Sequence, residues 1–395
     1  MKALLLARDF PPEGGGIARA LGEVARHAPA GTLTVCTGRM PESAAFDAAC
    51  AAPVVRVGVP CDRLRTLPGL VRWGWRADRL ARHADFLWAG NVKPAGHVAR
   101  WVGGRRGLPY GLIVYGLDLQ LIARQAAADP ARRRRAAALL WDAAGTVAIS
   151  HWTASRFTAL AGELGVADAA RHLRVVPPGV DAARFHPGAT TAALRDRYGL
   201  DDRAWMLTVA RLMPHKGIDT GLEVLQALRA AGHEVGYMVA GTGPDAERLR
   251  RKADRLGVAA DVRWLGRVPE EDLPGLYGAA TAYLGLSRRE GDEVEGFGLS
   301  LLEAQACAVP VVAGLEGGTE DAVTHGVTGF LVDPGTEVAA VRTVAALLAD
   351  RSRARVLGLA ARARVEREFG WPRVVRELAE AAAAFRGGRG ARAGR

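Results

Sequence analysis

Short apolar runs, many of them β-branched, alternate along the whole chain with longer segments in which alanine, leucine and arginine recur at helical spacing. A run that stays apolar at consecutive positions suits a strand buried on both faces, and strands alternating with helical segments predict parallel sheets covered by helices. The pattern places strands near Leu4–Ala7, Leu33–Cys36, Val54–Val57, Phe86–Trp88, Leu112–Tyr115, Val147–Ile149 and Arg174–Val176. A second series is predicted near Met206–Val209, Gly236–Val239, Val262–Leu265, Ala282–Leu286, Pro310–Val312 and Gly329–Val332. Between them, "VVPPGVDAARFHPGATTAALRDRYGL" from Val175 to Leu200 is rich in proline and glycine and reads as an inter-domain connection. The fold class expected is α/β, with two doubly wound parallel-sheet domains over 1–185 and 186–370. Helix 371–386 is expected to return to the first domain, ahead of a disordered basic tail over 387–395. Ligands of such sheets lie beyond the carboxyl ends of the strands, so the pair is expected to face each other across a cleft.

Composition narrows the reading. A chain of 395 residues exceeds one ordinary core, and 49% hydrophobic with 24% charged residues is a globular balance. Five apolar residues, Ala3 to Ala7, precede Arg8 and Asp9, too few for a signal peptide, and no run approaches the ~18 apolar residues of a membrane span. The cysteines Cys36, Cys50, Cys61 and Cys307 show no paired spacing, and His-Glu-x-x-His is absent. Neither a disulfide framework nor a metal site is expected, and a cytoplasmic location fits. Residues 1–200 carry 27 Lys+Arg against 15 Asp+Glu, a net +12, whereas 201–395 carry 26 against 27, a net −1. Positive charge alone does not make a nucleic-acid partner: the chain has no binding motif of that kind and only 6% aromatic residues.

Three elements carry candidate chemistry. In "DFPPEGGGIARAL", Gly14, Gly15 and Gly16 lie between the first strand and a helix, where amides without a neighbouring Cβ can approach a phosphate or simply form a turn. A dinucleotide fingerprint would need a small residue where Arg19 stands and an acid ending the second strand, where Arg39 stands, so the oxidoreductase reading is weak. In "LTVARLMPHKGID", Arg211 and Lys216 follow a strand and either converge on a diphosphate or remain solvated loop cations. In "EGDEVEGFGLSLLEAQACAVPVV", Glu295 precedes a Gly-Phe-Gly turn, and Glu303 falls among Leu299, Leu302, Ala306 and Cys307 at helical spacing. A carboxylate in such a place needs a partner, and a ribose diol would satisfy both oxygens.

The segments "GGGIAR", "VPPGVDAARFHP", "LTVARLMPHKGID", "MVAGTGPDAERL", "VRWLGRVPEEDLPGLY", "EGFGLSLLEAQACAVPVVAGLEGGTED" and "HGVTGFLVDP" occur in an order and spacing that resembles the retaining family-4 glycosyltransferases of GT-B type. "GDEVEGFGLSLLEAQAC" is similar to bacterial phosphatidylinositol mannosyltransferases and related cell-envelope enzymes. The resemblance implies a retaining transfer of a hexosyl group from a nucleotide sugar, GDP-mannose before UDP-sugars, to a lipid-linked or saccharide acceptor. It implies no cofactor and no metal, in keeping with a chain that contains no Asp-x-Asp. Carried onto this chain, it assigns Arg211 and Lys216 to the donor diphosphate, with the amides of Gly15 and Gly16 closing from the other domain. Glu303 would take the ribose hydroxyls, Glu295 and the amides of Phe297, Gly298 and Leu299 the donor sugar, and the backbone of Arg267 and Val268 the base. The chain departs at Tyr115 in "LIVYGLDL", where the family commonly has a histidine near the reacting carbon, which makes Asp118 the stronger candidate there. Ala308 stands where a glycine is frequent, a change expected to matter only to local packing. A phosphorylase would need a cofactor lysine in a chain with four lysines, while a nucleotide-sugar epimerase and a non-catalytic nucleotide-sugar binder stay open.

"RLRTLPGLVRWGWRADRLARHA", Arg63 to Ala84, places Leu70, Trp73, Ala77 and Leu80 on one helical stripe, with Trp75 beside it and Arg72, Arg76, Arg79 and Arg82 on another. Such a helix either lies on an anionic membrane surface, making the protein peripheral on the inner face of the cell membrane, or packs on its own sheet. The four arginines Arg132–Arg135 read as a solvated face.

Overall fold

The strands form where the apolar runs place them. β1 (Ala3–Leu6), β2 (Leu33–Arg39), β3 (Val54–Pro60), β4 (Phe86–Ala89), β5 (Tyr110–Val114), β6 (Gly145–Ala148) and β7 (Leu173–Val175) join in the order β3-β2-β1-β4-β5-β6-β7. β8 (Ala204–Val209), β9 (Val235–Ala240), β10 (Val262–Gly266), β11 (Ala282–Gly285), β12 (Val311–Gly314) and β13 (Gly329–Val332) join as β10-β9-β8-β11-β12-β13. Every pairing is parallel. In each sheet the winding reverses beside its first strand, between β1 and β4 and between β8 and β11, and this reversal is where a doubly wound sheet opens a crevice at its carboxyl edge.

This computed structural model describes residues 1–12 and 14–388. One compact unit holds Met1–Pro178 together with the chain from Trp371, and the other holds Gly179–Gly370. In the first, the two faces of one strand feed two cores: Leu4 and Leu6 join the cluster with Trp73, Leu112 and Phe157, while Leu5 and Ala7 join the cluster with Phe86, Trp88 and Val147. The period of two along a strand puts neighbours on opposite faces, which is why the run must be apolar throughout. The helix Trp371–Gly388 lays Trp371, Val374, Leu378, Ala381, Ala382 and Phe385 into the second of these clusters. Phe385 lies over Gly145, where a Cβ would come within 2.4 Å of the ring.

Three sequence expectations shift. The chain enters the second unit at Gly179, upstream of the expected 185/186 boundary. The reason is Arg362, whose guanidinium donates to the carbonyls of Ala182 and Phe185 and ties that stretch down, while Val180 N–H donates to Phe369 O at 2.8 Å. The expected tail over 387–395 loses its first two residues to the terminal helix, and the rest lies outside the described residues. In the helix Leu67–Leu80, the stripe of Trp73 and Ala77 is wholly buried with Leu70 and Leu80 packed against the same core, so this face belongs to the sheet and not to a membrane. Gly74 allows Trp101 to lie against that helix: a Cβ there would stand 3.3 Å from the indole.

The helix Leu299–Ala306 ends in a backbone motif that composition hides. Ala308 N–H donates to Gln305 O at 2.9 Å and Val309 N–H to Ala304 O at 3.0 Å, the paired bonds of a Schellman ending. Ala308 therefore sits at φ 56°, in the left-handed region where a Cβ crowds the carbonyl. Its departure from a frequent glycine thus acts on backbone conformation, beyond the local packing expected. Ala308→Gly should raise stability by about 0.5–1 kcal/mol, because relief of that crowding outweighs the greater unfolded-state entropy that glycine brings. A shift of the urea midpoint of the second unit to higher concentration checks this, and an unchanged or lower midpoint contradicts it.

Candidate functional site

In the second unit the loops after β8, β9, β10 and β11 lie side by side because their strands are neighbours in the sheet. After β8 the chain runs through Arg211 into a short turn, Pro214–Lys216, and Gly217, at φ 65°, turns it into the helix Ile218–Ala230. No larger residue fits at 217: a Cβ would meet Leu286 O at 1.9 Å, so the turn presses directly on the end of β11. After β9, Gly241 and Gly243 let the Arg211 loop approach, since a Cβ on either would meet Ala210 O at 1.8 Å or Leu212 O at 2.2 Å. Leu212 N–H donates to Thr242 O at 3.0 Å, which fixes the two loops together. The sequence carried this signal as "GTG" in "MVAGTGPD", and a glycine pair following a strand was the cue to read.

Lys216 and Glu295, 79 positions apart, meet here. Lys216 Nζ donates to Glu295 Oε2 at 2.5 Å, each side chain being only 19% exposed, and Ser287 Oγ donates to the same oxygen at 3.4 Å. Burial pushes the Glu295 carboxyl up, but the Lys216 ammonium, the nearby His215 and the Ser287 hydroxyl outweigh it, and the group is held below the ordinary carboxylate range. The Glu295 carboxyl is thus ionised at neutral pH. His215 Nδ1 lies 2.6 Å from Glu293 Oε2, close enough for an ion pair but without the alignment of a hydrogen bond. Burial, aided by the Lys216 charge, lowers the His215 pKa. Arg211 is exposed, with Nη2 4.0 Å from the Met213 sulfur, and among the described residues it makes no salt bridge.

The Gly-Phe-Gly turn that follows Glu295 has two parts. Phe297 is an anchor, 2% exposed, with its ring centroid 6.1 Å from that of Phe369. Gly298, at φ 95°, starts the helix Leu299–Ala306 without a capping side chain. Glu303 points into the protein at 3% exposure and accepts from Tyr277 Oη at 2.6 Å. The buried carboxylate therefore has a protein partner, one that sequence spacing could not supply because Tyr277 belongs to a separate helix, Leu273–Ala279. Arg267 and Val268 follow β10, whose last residue Gly266 accepts from Gly241 N–H at 2.7 Å, so their backbone stands beside the loop after β9.

The remaining candidates lie in the first unit. Gly14, Gly15 and Gly16 are exposed, and Gly15, at φ 124°, precedes the helix Gly16–His27. Asp118, near the start of the helix Leu117–Ala128, uses Oδ1 to accept the amides of Tyr115 (3.1 Å), Gly116 (3.0 Å) and Leu119 (3.0 Å). Its Oδ2 is buried and, among the described residues, has no partner aligned for a hydrogen bond. Burial dominates the balance and pushes the Asp118 carboxyl up to about 6 despite those amides. Tyr115 is half-buried; burial, followed by the charges of Asp118 and Asp9, pushes its phenol up, so the hydroxyl stays protonated. Among the described residues no group of three His, Cys, Asp or Glu side chains is placed to hold a metal ion.

The sequence model for "Glycosyl transferases group 1" matches residues 191–364, the part of the chain that holds Arg211, Lys216, Glu295 and Glu303. A GDP-mannose-dependent alpha-(1-6)-phosphatidylinositol monomannoside mannosyltransferase of Mycobacterium tuberculosis is 33% identical over 390 residues, covering 96% of this chain and 97% of the relative. The protein of the same description from Mycolicibacterium smegmatis is 36% identical over 375 residues, covering 91% and 92%. Among solved structures, Anabaena HepE in complex with UDP superposes with a TM-score of 0.78 at 22% identity, over 97% of this chain and all of the other, a likeness that establishes the fold. The chain accordingly belongs to the group 1 glycosyltransferases of GT-B fold, and is a glycosyltransferase akin to the phosphatidylinositol mannosyltransferases.

Proposed function

We propose that the chain moves a mannosyl group from GDP-mannose to a lipid-linked acceptor, with retention of configuration and without a metal ion. The observation that carries this reading is the Lys216–Glu295 pair beside the exposed Arg211 at the carboxyl edge of the second sheet. Cleaving a sugar–phosphate bond leaves negative charge on the diphosphate, and fixed cations aimed there stabilise the transition state more than the ground state. An ammonium has three donors, of which Glu295 engages one, leaving the others for phosphate oxygens. Glu295 in turn uses Oε2 for Lys216 and Ser287 and keeps Oε1 for a sugar hydroxyl. One carboxylate thereby orients the lysine and marks the sugar end of the donor, while Glu303 with Tyr277 marks the ribose end. Phe297, Gly298 and Leu299 offer the sugar their backbone, and Arg267 and Val268 offer theirs to the base.

The donor and acceptor follow the mannosyltransferases that are 33–36% identical over nearly the whole chain. The charge of the first 200 residues and a set of exposed apolar side chains add an anionic membrane surface as partner. Leu67, Val71 and Trp75 are 74%, 49% and 51% exposed and repeat every four residues on one helix. Trp101 continues the patch, its centroid 5.6 Å from that of Trp75, and the Arg105 guanidinium lies 5.5 Å over the Trp75 ring. No helix among the described residues is long and apolar enough to cross a membrane, so contact would be made on the surface.

Two measurements test these readings. Release of GDP from GDP-mannose, with phosphatidylinositol mannoside as acceptor, should exceed release of UDP from UDP-glucose and persist in EDTA; activity only with added divalent ion, or only with UDP-glucose, contradicts the proposal. Co-sedimentation with vesicles containing phosphatidylglycerol at low salt should occur and be lost in Val71→Ser/Trp75→Ser, since salt screens the arginines and the substitutions remove the apolar wedge. Equal sedimentation of the variant, or none by the wild type, removes the membrane from the account.

A further inference from the structure

Asp219 has no role in the reading above, yet it is a carboxylate 7% exposed at the second position of the helix that begins where the Lys216 turn ends. It accepts both arms of Arg288, Nη1 to Oδ1 at 2.8 Å and Nη2 to Oδ2 at 3.0 Å. Arg248 reaches Oδ2 from the helix Ala246–Arg255 at 3.3 Å. Burial pushes the Asp219 carboxyl up, and the two guanidiniums more than reverse it, so the ion pair is fully formed at neutral pH.

The backbone of Arg288 explains the placement. Its N–H donates to His215 O at 2.8 Å, which binds the segment after β11 to the residue preceding Lys216. The next residue back, Ser287, bonds Glu295, and one further back, Leu286, is the carbonyl against which Gly217 is pressed. The turn is therefore gripped on both sides: Lys216–Glu295 at the ammonium, and Asp219–Arg288 at the far end of the same four residues.

We propose that Asp219 and Arg288 are positioning residues for the donor diphosphate site, acting as a bidentate clamp that fixes the Lys216 backbone so that its ammonium and the Glu295 carboxylate meet the donor in register. The inference rests on the assignment of Lys216 to the diphosphate. A misplacement of about 1 Å far from the chemistry can cost a hundredfold in rate, which is the scale on which such a clamp acts.

The test measures GDP and UDP binding to the full-length chain by calorimetry, with thermal unfolding alongside. Asp219→Leu/Arg288→Met removes both charges together and leaves no buried ion unpaired, because Arg248 keeps Asp245, at 2.6 and 2.7 Å. Asp219→Asn, which retains the shape and one acceptor, serves if the double variant does not fold. The clamp variants should weaken nucleoside diphosphate binding about tenfold, and the same change made in Lys216→Ala should weaken it less than about twofold further, since residues acting through one another are not additive. Arg288→Lys, which restores one donor to Asp219, should recover part of the loss. Binding by the clamp variants equal to wild type, or a full additional loss in the Lys216→Ala background, overturns the clamp and leaves the donor assignment standing. Undiminished binding by Lys216→Ala, or none by the wild type, overturns the donor assignment, and the clamp with it.

Discussion

A carboxylate taken out of water must be given a counter-ion, and the second unit is organised around meeting that demand at Glu295. The Lys216 ammonium, 2.5 Å away, holds the group ionised against a desolvation that works the other way. Neither residue could do this from its own segment, because they approach from opposite sides of the β8–β11 boundary where the winding of the sheet reverses. Glycines make the approach close: Gly217 against Leu286 O and Gly317 against Glu295 O, where a Cβ would sit 2.2 Å away. Removing one partner of such a pair is costly because the other remains as an unpaired buried charge, so the pair constrains stability and chemistry together.

The rest of the second unit supports that contact. Arg362 donates to Ala306 O and so completes the carboxyl end of the helix that carries Glu303, while Gly358 passes within reach of Ala308 O. Phe297 anchors the turn between Glu295 and that helix in the core. The first unit shows the same economy with a different outcome: the carboxyl group of Asp118 is largely occupied in holding the amides of Tyr115, Gly116 and Leu119, and its other oxygen is buried with no aligned partner among the described residues.

Much of this was legible in the sequence, for a physical reason. Parallel strands buried on both faces are written as continuous apolar runs, so Leu4–Ala7 and Met206–Val209 announce themselves locally, and the sheets follow from their alternation with helical segments. Arg211, Lys216 and Glu295 stood out because charged residues in glycine-bounded loops after strands are conspicuous, and Glu303 because it is a carboxylate among apolar neighbours at helical spacing. What periodicity could not tell was which of two apolar faces a helix buries: Trp73 and Ala77 turned inward, and Leu67, Val71 and Trp75 outward. Nor could it join partners remote in sequence, such as Tyr277 with Glu303 or Asp219 with Arg288, because a salt bridge across 69 positions leaves no local trace. At Ala308 the sequence showed the departure from a frequent glycine but not its backbone consequence, because the left-handed conformation is set by how the helix ends.

The central claim is that Lys216, held by Glu295, receives the diphosphate of a sugar donor with Arg211 beside it. A crystal structure of the full chain with GDP bound tests this most directly. The account predicts β-phosphate oxygens within hydrogen-bonding distance of Lys216 Nζ and the Arg211 guanidinium, with the ribose against Glu303. A diphosphate bound elsewhere, with the Lys216–Glu295 contact untouched by it, would contradict the account.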